Sequence, residues 1–140
     1  MTSATDALDR LRAAADSGAL EALCDALDLA LLVAFGSTTD PDRLHEPRDL
    51  DVAVRFRPDA RADRVDVINA LIDLTGYTEV DVIDLAAAGP VLRARALGPP
   101  CEPLYEDHPG GYATAQMAAL TEAMETAWLR RLDLELVAER

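Results

Sequence analysis

Residues 33–56 read VAFGSTTDPDRLHEPRDLDVAVRF. An apolar run stops at Gly36-Ser37, a polar loop follows, and a second apolar run opens on Asp49 and Asp51. The second run alternates. Leu50, Val52, Val54 and Phe56 point one way, and Asp49, Asp51, Ala53 and Arg55 the other, the period of a β-strand. Backwards from Gly36, LALLVAFG is a continuous apolar stretch of strand length, as expected of a strand buried on both faces. Two like charges on one face of a strand beside a core need a physical reason.

Outward from this pair, residues 4–28 place Leu8, Leu11, Ala15, Leu20, Leu23 and Leu27 at helical spacing, with Ser17-Gly18 splitting the segment into two short helices. Cys24 falls on the apolar face of the second and reads as a buried structural thiol. After Pro58 closes the alternating strand, a helix is predicted over 60–75, with Val65, Ile68, Leu71 and Ile72 as its buried stripe and Gly76 as its stop. EVDVIDL is a third strand, PVLRARAL a short helix with proline at its first position, and the proline-interrupted CEPLYE an edge strand at best. Residues 112–138 form a long helix, in which Met117, Leu120, Met124 and Trp128 read as a core stripe. Leu129, Leu132 and Leu136 make a second stripe, a candidate partner surface. The sum is a single α+β domain over 1–140, with helices on a small mixed sheet.

Composition narrows the chemistry. Thirteen basic residues face 26 acidic ones for a net charge of −13, and every basic residue is arginine. Without lysine there is neither a P-loop nor a Schiff base. So acidic a chain is unsuited to tracking nucleic-acid phosphates, and favours a basic protein partner or a divalent cation. Two cysteines make no disulfide framework and no zinc spacing. No apolar segment approaches membrane-spanning length, and MTSATDALDR has no signal-peptide pattern, so a reduced, cytoplasmic setting is expected. His45 and His108 lie in loops and read as solvated.

Side chains two apart on a strand share a face, so the carboxylates of Asp49 and Asp51 lie roughly 6–7 Å apart. Ionising both beside a core is unfavourable unless a cation compensates. Magnesium does this with one or two carboxylates, water and phosphate oxygens. EVDVIDL offers a third carboxylate in Asp81 or Asp84, which alternation puts on opposite faces. Gly36 would let the backbone approach a ligand, and the Ser37 hydroxyl with nearby amides could hold a phosphate. Arg43 and Arg48 are further phosphate candidates. Together these parts describe a nucleoside-triphosphate site with bound magnesium.

Gly36-Ser37, Asp49-Leu50-Asp51 and the aspartate of VDVIDL resemble the Gly-Ser, Asp-x-Asp and third-Asp signature of the polymerase-β-like nucleotidyltransferases. Chain length, the helix after the Asp-x-Asp strand and PLYE before the last helix are most similar to the minimal (MNT) members. The resemblance implies a nucleotidyltransferase fold, Asp49, Asp51 and Asp81 as catalytic and magnesium-binding residues, and Gly36 and Ser37 as nucleotide-binding residues. It further implies an antitoxin that moves AMP from ATP onto a tyrosine hydroxyl of an all-helical HEPN-domain toxin, with which it forms a hetero-oligomer. The loop TTDPDRLHEP departs from the family's x-A-R-G-like sequence, and Arg48 stands where a serine is customary. Two alternatives follow: a degenerate antitoxin acting by binding alone, or a nucleotidyltransferase for small molecules such as antibiotics. The second usually requires an extra acceptor-binding domain.

Overall fold

The computed structural model describes residues 2–138. The first helix, α1 (Ala4–Ser17), starts in a capping box: the Ser3 hydroxyl accepts from the Asp6 amide, and the Asp6 carboxylate accepts from the Ser3 amide. Gly18, at φ +88°, ends α1 and turns the chain into α2 (Ala19–Ala26), the expected break. Strands β1 (Leu29–Phe35) and β2 (Leu50–Phe56) pair antiparallel, with Phe35 opposite Asp51. Helix α3 (Arg64–Thr75) carries the chain over to β3 (Val80–Asp84), which runs parallel to β2. Helix α4 (Pro90–Leu97) leads to β4 (Glu102–Glu106), antiparallel to β1 at the sheet edge, and α5 (Gly111–Ala138) ends the described chain. The strand order is β3-β2-β1-β4, a mixed sheet flanked by helices as anticipated.

Both faces of the sheet are covered, unequally. On the first, Leu32, Ala34, Leu50, Val52, Val54 and Val82 pack against Leu8, Leu11, Leu20, Cys24, Val67 and Leu71 from α1, α2 and α3. Burial in this cluster pushes the Cys24 thiol up to about 12, so it is the inert apolar filler expected. On the second face, Leu31, Val33, Phe35 and Ala53 meet Leu85, Ala96 and Leu97, with Ala115 and Ala119 from α5. Arg57 fastens the far end of β2: its guanidinium donates to Asp25 at 2.8 Å, to Asp107 at 3.2 Å and to the Tyr105 hydroxyl at 2.9 Å. Asp107 also pairs with His108 at 2.6 Å, and His108 stays exposed as expected.

Two expectations about helices are corrected. Helix α3 begins at Arg64, not residue 60, because Asp63 and Asp66 form a capping box there. Its buried positions are Val67, Leu71 and Thr75, while Val65 is exposed; the axis presents the i, i+4 row of Val67 to the sheet. The stripe Met117, Leu120, Met124 and Trp128 is not core. Only Ala115 and Ala119 of α5 are buried, and Met124 is 76% and Trp128 60% exposed. The small alanine face lets α5 lie close to α4, and the larger side chains point away from it. Among the described residues no helix is long and apolar enough to cross a membrane.

Candidate active site

The start of β2 and the end of β1 bring the first parts together. At Phe35 the strand ends and a single 3₁₀ turn, Gly36–Thr38, follows, closed by the Thr39 amide and hydroxyl donating to the Gly36 carbonyl. Gly36 has φ +80°, and a Cβ built on it would lie 2.4 Å from the Asp51 Oδ2. No other residue type fits there. The glycine both allows the left-handed turn and lets the backbone abut the carboxylate.

Register supplies the next part. Asp51 pairs with Asp81 across the parallel β2–β3 ladder, so Phe35, Asp51 and Asp81 form a row across three strands. Asp51 and Asp81 lie on the second face with Ala53 and Ile83, beyond the edge of its apolar cluster. Asp84 falls on the opposite face, paired with Val54, and its carboxylate accepts from the Ala86 amide at 3.0 Å as a turn residue. Asp49 sits one residue before β2 and is exposed, as is Asp81; Asp51 is half-buried. The Tyr77 hydroxyl donates to the Arg48 carbonyl and so pins the chain just before Asp49.

These carboxylates feel one another. Burial raises the Asp51 carboxyl above the ordinary aspartate value, and the charges of Asp81 and Asp49 raise it further; Arg95 partly offsets them. Among the described residues no three acidic, histidine or cysteine side chains converge into a ready-made metal cage. The three aspartates are thus within electrostatic reach without closing on a common point. Hard oxygen donors with only partly compensated charge fit magnesium, which needs one or two protein carboxylates and takes its remaining ligands from phosphate and water. Such an ion would arrive with its nucleotide rather than occupy a finished site.

Two clefts meet at Ser37, which is exposed. One, of about 420 Å³, is lined by Ser37, residues 43–48, Asp49 and Asp51. It contains Arg43, His45 and Arg48, and Leu44 stands almost wholly exposed at its rim. The other, of about 350 Å³, is lined by Gly36, Ser37, Asp40, Ala94, Arg95, Pro99 and Pro100. Arg95 is the residue that sequence reasoning passed over. Its charge reaches Asp51 from α4, more than forty positions away in the chain, and only the cationic character of PVLRARAL hinted at it.

No family model matches this sequence, and no curated protein matches it either. Solved structures do. A toxin–antitoxin complex with AMP-PNP is similar at a TM-score of 0.65 and 18% identity, covering 85% of this chain and 95% of that one. A tri-AMPylated Shewanella oneidensis HEPN toxin in complex with MNT antitoxin gives a TM-score of 0.64 at 18% identity, covering 91% and 98%. The toxin–antitoxin pair MntA–HepT gives 0.62 at 17% identity, covering 89% and 97%. The likeness is to the minimal nucleotidyltransferase member, and this chain has the nucleotidyltransferase fold.

Proposed function

We propose that this chain is a nucleotidyltransferase-type antitoxin that transfers AMP from ATP to a hydroxyl of a HEPN-domain toxin, with tyrosine as the expected acceptor, and thereby neutralises it. The observation that carries this reading is the row in which Gly36 abuts Asp51 and Asp51 pairs in register with Asp81. A backbone open to phosphate lies beside carboxylates whose charge Arg95 only partly offsets, in a fold shared with antitoxins solved beside AMP-PNP and beside an AMPylated toxin.

In this reading Asp49, Asp51 and Asp81 hold magnesium, which supplies charge neutralisation when bound. Gly36 and Ser37 hold triphosphate oxygens. The acceptor hydroxyl oxygen bonds to the α-phosphorus while the bond from that phosphorus to the oxygen bridging to the β-phosphate breaks. Pyrophosphate leaves with the electron pair. Asp81, exposed beside Asp51, would take the hydroxyl proton, and positioning with electrostatics would do the remaining work. The exposed apolar length of α5 supplies a surface for a helical partner.

A second reading, neutralisation by binding alone, is favoured by the altered loop after Ser37. One experiment separates them. The chain is incubated with its HEPN partner, magnesium and labelled ATP, while calorimetry follows ATP binding. Transfer predicts magnesium-dependent binding, lost in Asp49→Asn/Asp51→Asn, and a nucleotide mass on the partner, abolished by Asp81→Asn. Wild-type protein that protects cells yet adds no mass would establish the binder instead.

A further inference from the structure

We propose that Arg95, in the last turn of α4, grips the phosphate chain of the nucleotide from the α4 side of the Gly36-Ser37 turn. This inference rests on the nucleotide-site reading above and names a residue for it. Arg95 lines the cleft of about 350 Å³ together with Gly36, Ser37 and Asp40, so its guanidinium shares a space with the turn where phosphate would lie. Its charge is felt at Asp51, which places it on the carboxylate side of the sheet.

The neighbouring arginine shows why the role falls on Arg95. Arg93 is already used: it meets Glu122 at 2.7 Å and donates to the Ala88 carbonyl, bracing α4 against α5. Among the described residues Arg95 makes no salt bridge. Its base is nonetheless rigid. Ala96 and Leu97 are fully buried, and the Leu97 carbonyl accepts from the Tyr112 hydroxyl at 2.6 Å and from Gln116 at 3.0 Å. A free guanidinium on a fixed stem is suited to phosphate, because its planar fork presents paired donors.

Charge balance points the same way. A triphosphate entering this site meets Asp40, Asp49, Asp51 and Asp81. A cation held by the aspartates neutralises oxygens on their side, and oxygens turned towards α4 need another donor. Arg43 and Arg48 line the other cleft, and Arg43 already donates to the Asp40 carbonyl at 3.3 Å. In the cleft on the α4 side of Gly36 and Ser37, the guanidinium that lines the wall is that of Arg95.

The test is calorimetric titration of AMP-PNP with magnesium into wild type, Arg95→Ala, Arg95→Lys and Arg61→Ala, with thermal melts of each. A charge-assisted hydrogen-bond pair predicts at least a tenfold weaker Kd for Arg95→Ala, roughly what such bonds contribute. Arg95→Lys, which keeps the charge but not the fork, should fall between, and Arg61→Ala, exposed beyond the far end of β2 and lining neither cleft, should stay within about threefold of wild type. Melting temperatures should not differ, since Arg95 is exposed. An Arg95→Ala protein that binds like a binding-competent wild type overturns this inference and leaves the nucleotide site standing. A wild type that binds no AMP-PNP with magnesium removes the site and this inference together.

Discussion

The two faces of the sheet are built from different material. The α1–α3 face is filled by leucines and valines from every element it contains. The α4–α5 face is closed with alanines 53, 96, 115 and 119 beneath a few large side chains. Where β2 and β3 begin, the second face carries Asp51 and Asp81 in place of apolar residues, and most of α5 runs on uncovered. Carboxylates crowded near a core and a bare apolar helix face both cost stability. A domain can bear them on one side when the other side supplies the burial. The proposed function would give folding to one face and chemistry with partner contact to the other, and each half of that proposal can be broken.

The largest effect belongs to the first face. Leu11 is completely buried between α1 and the sheet. Leu11→Ala should cost about 3 kcal/mol in denaturant unfolding, within the usual range for a buried leucine and a large share of the ~5–15 kcal/mol that holds a domain together. A loss below about 1 kcal/mol would mean that the leucine face is not what carries the fold.

What could be read in the sequence divides along the same line. Continuous apolar runs and their Gly or Pro punctuation placed β1, β2, β3 and α4 to within a residue or so, because backbone pattern is local. The start of α3 was also written locally, in Asp63 and Asp66, but the amphipathic stripe drew it too early. Helical spacing on α5 could not say what lies opposite Met117 or Trp128, because a stripe looks the same whether a sheet covers it or nothing does. Alternation alone left Asp81 and Asp84 open. It is the pairing of residue 51 with residue 81 that puts one on the face of Asp51 and the other behind it. Arg95 was silent for the same reason, since its nearness to Gly36 and Asp51 exists only after α4 docks.

A smaller effect, of opposite sign, is expected from the crowded aspartates. The folded-state pKa of Asp51 is raised, first by burial and then by Asp81 and Asp49, so the native protein holds this proton more tightly than the unfolded chain. Stability therefore falls as pH rises from the ordinary carboxylate value through the raised one, and stays lowered at neutral pH. Asp51→Asn removes that penalty. Without metal at pH 7 it should melt above wild type, a gain that shrinks as the solution is acidified. Magnesium should raise the melting temperature of wild type and leave the variant's unchanged. A variant that melts below wild type at pH 7 would show that Asp51 is structurally compensated and that the second face bears no such cost.

The smallest effect on folding is expected at the far end of α5, where the change should appear in association instead. Leu129, Leu132 and Leu136 recur at intervals of three and four, on one side of a helix about 42 Å long. Leu132 is 42% and Leu136 51% exposed, so truncating them removes little burial and should change stability by less than about 0.5 kcal/mol. Arg130, Asp133 and Glu135 surround them as a polar rim, which tunes approach more than affinity; Arg130 is partly spent on the Thr126 hydroxyl at 2.6 Å. An apolar anchor buried on binding contributes about 2 kcal/mol or more, roughly thirtyfold in affinity. Leu132→Ala/Leu136→Ala should therefore weaken binding of the HEPN partner at least tenfold, while its melting temperature and its magnesium-dependent ATP affinity match wild type. Normal partner binding in the double variant would move the contact to the nearer turns around Met117 and Met124. A lowered melting temperature would instead make these leucines part of the fold, and the contrast between the two faces would no longer hold along α5.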